Sequence, residues 1–154
     1  MNARCLPVAF VADAARIGGG EVSVLGLLQH LDRARYRPVF LCYGSGALTA
    51  RLGEMGIPVY TLERGSRIGD LFLAVRMALI LRKERVALVH VNSLDIRAGL
   101  AARLAGARLL GHLRVIIPFT WVDRIFARMA DRIFAVSRAA IRAIRCRFEA
   151  FTRA

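Results

Sequence analysis

The sequence predicts an α/β fold: a three-layer sandwich in which helices cover both faces of a mostly parallel sheet. Three observations carry this. Six short apolar runs without polar alternation recur along the 154 residues, and such runs mark strands buried on both faces. Segments of helical periodicity separate them, and strands alternating with helices at this spacing form βαβ units with parallel strands. The first strand leads into a glycine turn, Ile17-Gly18-Gly19-Gly20-Glu21-Val22-Ser23, which an amphipathic segment follows. A strand, a glycine turn and a helix N-terminus in that order suit a phosphate-bearing ligand. The first-turn N–H groups lack intrahelical partners and the helix dipole favours a negative group there. A glycine-rich surface loop is the plainer reading of the same residues.

The first strand is expected over residues 6–12, and the helix after the turn over residues 21–31. That helix presents Val24, Leu27, Leu28 and Leu31 at i, i+3, i+4 and i+7, a single apolar face. Residues 38–43 form the second strand, a short helix over 46–55 ends at Gly56, and residues 58–62 form the third strand. After a polar loop over residues 63–69, Asp70 caps a helix that runs to about Glu84 and carries Arg76, Arg82 and Lys83. The fourth strand, 87–91, stops at the polar trio His90, Asn92 and Ser93. An alanine-rich helix over 95–105 ends at Gly106, and the fifth strand covers 107–112. Pro118 starts a helix whose Val122, Ile125, Phe126 and Met129 share one face. A sixth strand over 133–136 and a basic helix over 137–147 complete a single domain of residues 1–147, with a short tail over 148–154. No interior boundary, repeat or low-complexity run divides it.

Hydrophobic residues make up 56% of the chain, yet no apolar stretch reaches the roughly 18 residues of a membrane-spanning helix. The nearest candidate, residues 71–81, is cut by Arg76. The start has no convincing signal-peptide cleavage region and reads as a first strand, which points to a cytoplasmic protein. Cys5, Cys42 and Cys146 are odd in number and widely spaced, as buried free thiols are. The net charge of +13 rests on arginine, Lys83 being the one lysine. Such a balance suits nucleic acid, an acidic membrane surface or phosphorylated substrates, or reflects arginine-rich composition alone.

Ligands of open parallel sheets sit beyond the carboxyl ends of the strands. That edge collects Asp13 and the glycine turn, then His90, Asn92 and Ser93, then His112 and Arg114, and last Ser137. His112 is open to three readings: a general base, a hydrogen-bond donor to substrate, or a satisfied strand-end histidine. No carboxylate pair is placed for glycoside hydrolysis, no nucleophile sits beside an obvious base, and no metal-ligand cluster appears. A dinucleotide site fits poorly, because Ser23 fills the last position of the glycine motif and the second strand ends Cys42-Tyr43-Gly44, without an acid for a ribose. A lysine-bearing phosphate loop is excluded, since Lys83 lies elsewhere. Arg76, Lys83, Arg124 and Arg128, with Val75, Leu79, Trp121 and Phe126, form either an interface for anionic lipid or ordinary helix faces. No recognised nucleic-acid motif or aromatic platform accompanies them, so no nucleic-acid partner is expected.

Four segments then occur in order: Gly18-Gly19-Gly20-Glu21 after the first strand, Val89-His90-Val91-Asn92-Ser93, Gly111-His112, and Asp131-Arg132-Ile133-Phe134-Ala135-Val136-Ser137. Together they resemble the N-terminal, acceptor-side domain of GT-B glycosyltransferases of the retaining, family 4 type. The resemblance extends to about Arg147. It implies a Rossmann-like half of a GT-B fold that transfers a sugar from a nucleotide-sugar donor to a sugar, lipid-linked or polysaccharide acceptor. It assigns Gly18, Gly19, Gly20 and Glu21 to the donor diphosphate, and His112 to the donor sugar near the reaction centre as the catalytic residue. His90, Asn92, Ser93 and Arg114 would meet the acceptor, and no metal or cofactor is implied. Such enzymes carry a second α/β domain with paired glutamates, which is not found within these residues. The chain alone is therefore expected to be inactive without that domain, supplied for instance by a separate chain. Peripheral contact with the inner face of an anionic membrane would go with a lipid-linked acceptor. The alternative is a non-catalytic binding module of the same fold for a phosphorylated ligand.

Overall fold

The six apolar runs become six parallel strands: β1 (Leu6–Ala12), β2 (Tyr36–Tyr43), β3 (Val59–Leu62), β4 (Leu88–Val91), β5 (Arg108–Leu113) and β6 (Arg132–Ala135). They alternate with α1 (Gly19–Gln29), α2 (Ala47–Glu54), α3 (Arg67–Lys83), α4 (Ile96–Ala105) and α5 (Trp121–Met129). The structure, a computed structural model, describes residues 5–12, 16–63, 67–114, 120–140 and 142. The strand order is β3-β2-β1-β4-β5-β6, with every neighbouring pair parallel. β1 therefore pairs with β2 on one edge and β4 on the other, Ala9 standing opposite both Val39 and Val89. The winding reverses between β1 and β4, and a crevice opens at the carboxyl ends where it does.

Alternation along the strands divides the core in two, as side chains point to opposite faces in turn. Val8, Phe10 and Phe40 pack with Val24 and Leu28 of α1 and with Leu48 and Leu52 of α2. Ala9, Val11, Val39 and Leu41 point the other way, beneath Met77 and Leu81 of α3, Ala98 and Ala102 of α4, and Phe126 of α5. The approach of α5 depends on two missing side chains. A Cβ on Gly111 would lie 2.7 Å from Phe126 Cε1, and one on Gly99 would lie 2.8 Å from Met129 Cε. No helix among the described residues is long and apolar enough to cross a membrane.

Several expected boundaries move for local physical reasons. α1 begins at Gly19 rather than residue 21, because the Glu21 carboxylate reaches back and accepts from the Gly18 N–H at 3.1 Å. α3 begins at Arg67, so Asp70 lies in its first turn rather than at its cap, where the dipole still favours an acid. β5 continues to Leu113, which puts His112 inside the strand. Thr120 caps α5, exchanging hydrogen bonds with Asp123. Pro118, Asp13, Cys146 and the final helix beyond residue 142 lie outside the described residues. Cys42 is a buried thiol, pushed up to about 11 by burial, whereas Cys5 is exposed, against expectation.

Candidate functional site

The crevice between β1 and β4 holds four polar side chains in one chain of contacts. Asn92, just past β4, donates from Nδ2 to Glu21 Oε1 at 3.3 Å. Arg114, just past β5, donates from Nε to Asn92 Oδ1. Its Nη2 donates to His112 Nδ1 at 3.2 Å. Two strands, β4 and β5, and the α1 N-terminus are thereby linked by side chains 71, 22 and 2 positions apart in sequence. Gly20, Glu21, Asn92, Ser93, Leu94, Leu113 and Arg114 line a cavity of about 220 Å³ beside this chain.

Gly20 makes the arrangement possible. A Cβ there would sit 3.1 Å from Asn92 Nδ2 and 3.3 Å from Arg114 Cδ, closer than side chains ordinarily pack. Glycines in such a turn commonly supply left-handed backbone. Gly18 instead has φ −116°, and the described glycines with positive φ are Gly44, Gly56 and Gly106. What Gly20 supplies is room for the cation and the amide to cross the helix terminus. Glu21 already brings one negative charge to that terminus, where the dipole and Arg114 stabilise it.

The tautomer of His112 follows from its partner. Arginine only donates, so Nδ1 must accept and the ring proton belongs on Nε2. Burial, and then the positive field of Arg114, hold the imidazole below its ordinary pKa. His112 is thus a neutral ring with one N–H free of Arg114, suited to donating a hydrogen bond. His90 lies beneath it, the two rings stacked at 5.5 Å between centroids, with Phe10 edge-on at 5.3 Å. Burial first, then His112 and Arg114, push His90 down to about 4. It is only 7% exposed and does not line the cavity. Its place is that of a packed support for His112.

A second cavity of about 390 Å³ shares Ser93 and Leu94 with the first and extends to Asp70, Asp95, Ile96, Arg97, Val122 and Asp123. Its floor is a cluster the sequence did not single out. Asp95 accepts from Tyr43 Oη at 2.7 Å, from Arg97 Nε at 2.9 Å and from Arg97 Nη2 at 3.1 Å. It also caps α4 through the Arg97 N–H. The Arg97 guanidinium stacks over the Tyr43 ring at 4.7 Å and reaches Asp70 at 3.4 Å. The one available signal was Tyr43 at the carboxyl end of β2. Among the described residues no group of three or more His, Cys, Asp or Glu side chains is gathered as a metal site.

The strand order defines a doubly wound α/β domain, with Arg114 and the N-terminus of α1 at its switch-point crevice. The chain belongs to glycosyltransferase family 4, whose sequence profile matches residues 17–150. Solved structures share the fold. HepE from Anabaena, in complex with UDP and glucose, is 20% identical with a TM-score of 0.72, over 90% of this chain and 40% of that one. MurG from Acinetobacter baumannii is also 20% identical, with a TM-score of 0.67 over 84% of this chain and 41% of its own. A glycosyltransferase from Rickettsia africae is 22% identical, with a TM-score of 0.71 over 87% and 37%. The chain therefore spans about 40% of the length of HepE and MurG. No curated protein matches the sequence.

Proposed function

We propose that this chain is the acceptor-side half of a glycosyltransferase that takes its sugar from a nucleotide-sugar and retains the anomeric configuration. The observation that carries this is the meeting of the α1 N-terminus, Arg114 and the neutral His112 at one switch-point crevice. Family membership and the UDP and glucose held by HepE, a protein of the same fold, support it. The donor diphosphate lies against the N–H groups of Gly19 and Gly20, where it competes with the Glu21 carboxylate for the helix terminus. Gly18 sets the entry of the chain into that turn. His112 donates its Nε2–H to a hydroxyl of the donor sugar, held in register by Arg114 and supported from below by His90. Asn92 and Ser93 face the acceptor, and Arg114 serves both substrates as the fixed positive charge between them. A second α/β domain, on the same or a separate chain, holds the rest of the nucleotide. The work takes place at the cytoplasmic face of a membrane where polysaccharide or lipid-linked sugars are assembled.

Titration of the isotopically labelled 154-residue chain with UDP-glucose tests the reading by NMR. Saturable shifts at the Gly19 and Gly20 amides and the His112 ring are expected. Gly20→Val, which forces Arg114 and Asn92 apart, should weaken binding by about tenfold, the equivalent of one lost hydrogen bond. Shifts confined to other surfaces, or none at millimolar ligand, would overturn it.

A further inference from the structure

The second cavity differs from the first in what its side chains still offer a ligand. Its volume of about 390 Å³ is that of a small-molecule site. It adjoins the first cavity at Ser93 and Leu94. Asp70 in the first turn of α3, residues 93–97 between β4 and α4, and Val122 with Asp123 of α5 wall it. α5 comes this close because Phe126, read from the sequence as part of an exposed face, is instead fully buried against Gly99 and Gly111.

The floor of the cavity is closed. Both Asp95 oxygens are taken by Tyr43 and Arg97, and Arg97 turns Nε, Nη1 and Nη2 toward Asp95 and Asp70. The walls are open. Asp123 is only 8% exposed, and its Oδ2 accepts from the Thr120 N–H at 2.6 Å and hydroxyl at 2.7 Å. Among the described residues nothing donates to its Oδ1. An enclosed carboxylate oxygen without a donor is costly, and a ligand that supplies one relieves that cost. Asp70 gives Oδ1 to Arg97 at 3.4 Å, and its Oδ2 has no partner among the described residues. The Ser93 hydroxyl is unpartnered in the same sense. Leu94, Ile96 and Val122 add apolar surface between these groups.

A carboxylate oxygen only accepts. Two open ones, in a lining with Asp70, Asp95 and Asp123 against Arg97 alone, call for a ligand rich in O–H or N–H groups and free of negative charge. We infer that the second cavity selects the acceptor by charge: Asp70, Asp123 and Ser93 take a sugar end bearing hydroxyls or a protonated amine, and turn away uronic acids and phosphorylated sugars. A carboxylate or phosphate on the ligand would face Asp70 and Asp123, and like charges brought together in a cavity discriminate more strongly than a lost contact does. The first cavity has the opposite preference, since Arg114 and the α1 N-terminus line it. Adjoining cavities thus sort an anionic and a non-anionic substrate without a movable part. That the non-anionic ligand is the acceptor rests on the transferase reading, but the charge preference of the cavity does not.

Titration of the isotopically labelled full chain with three methyl glycosides that differ at one substituent tests the inference by NMR at neutral pH. The probes are the glucoside, the glucosaminide and the glucuronide. The first two should shift the amides of Ser93, Leu94, Val122 and Asp123 saturably, with dissociation constants on the order of 1–100 mM. The glucuronide should bind at least about tenfold more weakly than the glucoside. Asp70→Asn, a change at a part-exposed side chain, should narrow that gap severalfold. Asp123→Asn should narrow it too, because its amide oxygen still accepts from Thr120 while its N–H₂ enters the cavity. Should either variant unfold more easily than the parent, the other decides. A glucuronide that binds as well as the glucoside, a gap unchanged in both folded variants, or no shift in the cavity at about 100 mM glycoside would overturn the inference. Charge-selective glycoside binding beside a failed UDP-glucose titration would sink only the transferase reading. UDP-glucose shifts at Gly19 and Gly20 beside unselective glycoside binding would sink only the charge selection.

Discussion

Two polar clusters stand side by side at the carboxyl edge of the sheet, and they use their hydrogen bonds in opposite ways. In the Tyr43–Asp95–Arg97 cluster the carboxylate is almost wholly enclosed and accepts from a phenol, a guanidinium and a backbone N–H at once. Burying a charge is tolerated only with such full pairing. Tyr43, raised by burial and then by the Asp95 charge, stays protonated and holds its bond. In the Glu21–Asn92–Arg114–His112 chain each link is a single hydrogen bond, the groups remain part-exposed, and all but His112 line a cavity. Capacity to bind is what remains after a side chain has met its neighbours. The first cluster has spent that capacity on holding β2 to α4, while the second retains it.

Three substitutions sharpen or break this contrast. The largest expected effect is from Asp95→Ala, which strands Arg97 and Tyr43 and removes the α4 cap. Loss of one partner of a buried pair costs about 3–5 kcal/mol, to be read by chemical unfolding. A loss below 1 kcal/mol would show the cluster to be as open as its neighbour. Next comes acid. His90 has its folded value pushed down to about 4 from an ordinary 6.5, so between those values the unfolded chain binds the extra proton. Stability falls as pH drops through that window and this contribution is constant below it, amounting to about 3 kcal/mol. Unfolding measured from pH 7 to 4 should show that slope, and His90→Phe should flatten it. An unchanged slope in the variant would assign the acid sensitivity elsewhere. Smallest is Asn92→Ala, which cuts a part-exposed link and should cost about 1 kcal/mol in unfolding while weakening UDP-glucose binding more than it weakens the fold. Equal effects on both would mean the open chain is structural after all.

The strands were legible because a strand buried on both faces has no polar residue to obscure it, as over residues 6–12 and 88–91. The edge residues were legible for a related reason, since the carboxyl ends follow once the strands are placed. The Tyr43–Asp95 bond was not, as its partners are 52 positions apart and meet only because β1 alone separates β2 from β4. Phe126 misled for want of the same information. Periodicity assigns it to an apolar face of α5 but does not say which residues open a space for it, and Gly99 and Gly111 do. The end of α1 nearest the crevice shifted because a side chain, Glu21, rather than a cap residue, sets where the helix begins.

The position of β1 in mid-sheet also orders events in time. Its first neighbour, β2, follows closely, but Val8 pairs on the other side with Leu88. At the roughly 5–20 residues per second of synthesis, that partner emerges on the order of 4–16 seconds later. Through that interval one edge of the most apolar strand in the nascent chain has no companion. The β1–α1–β2 unit can therefore assemble before β4 emerges, and the switch-point crevice, which needs Asn92 and Arg114, can form only after it.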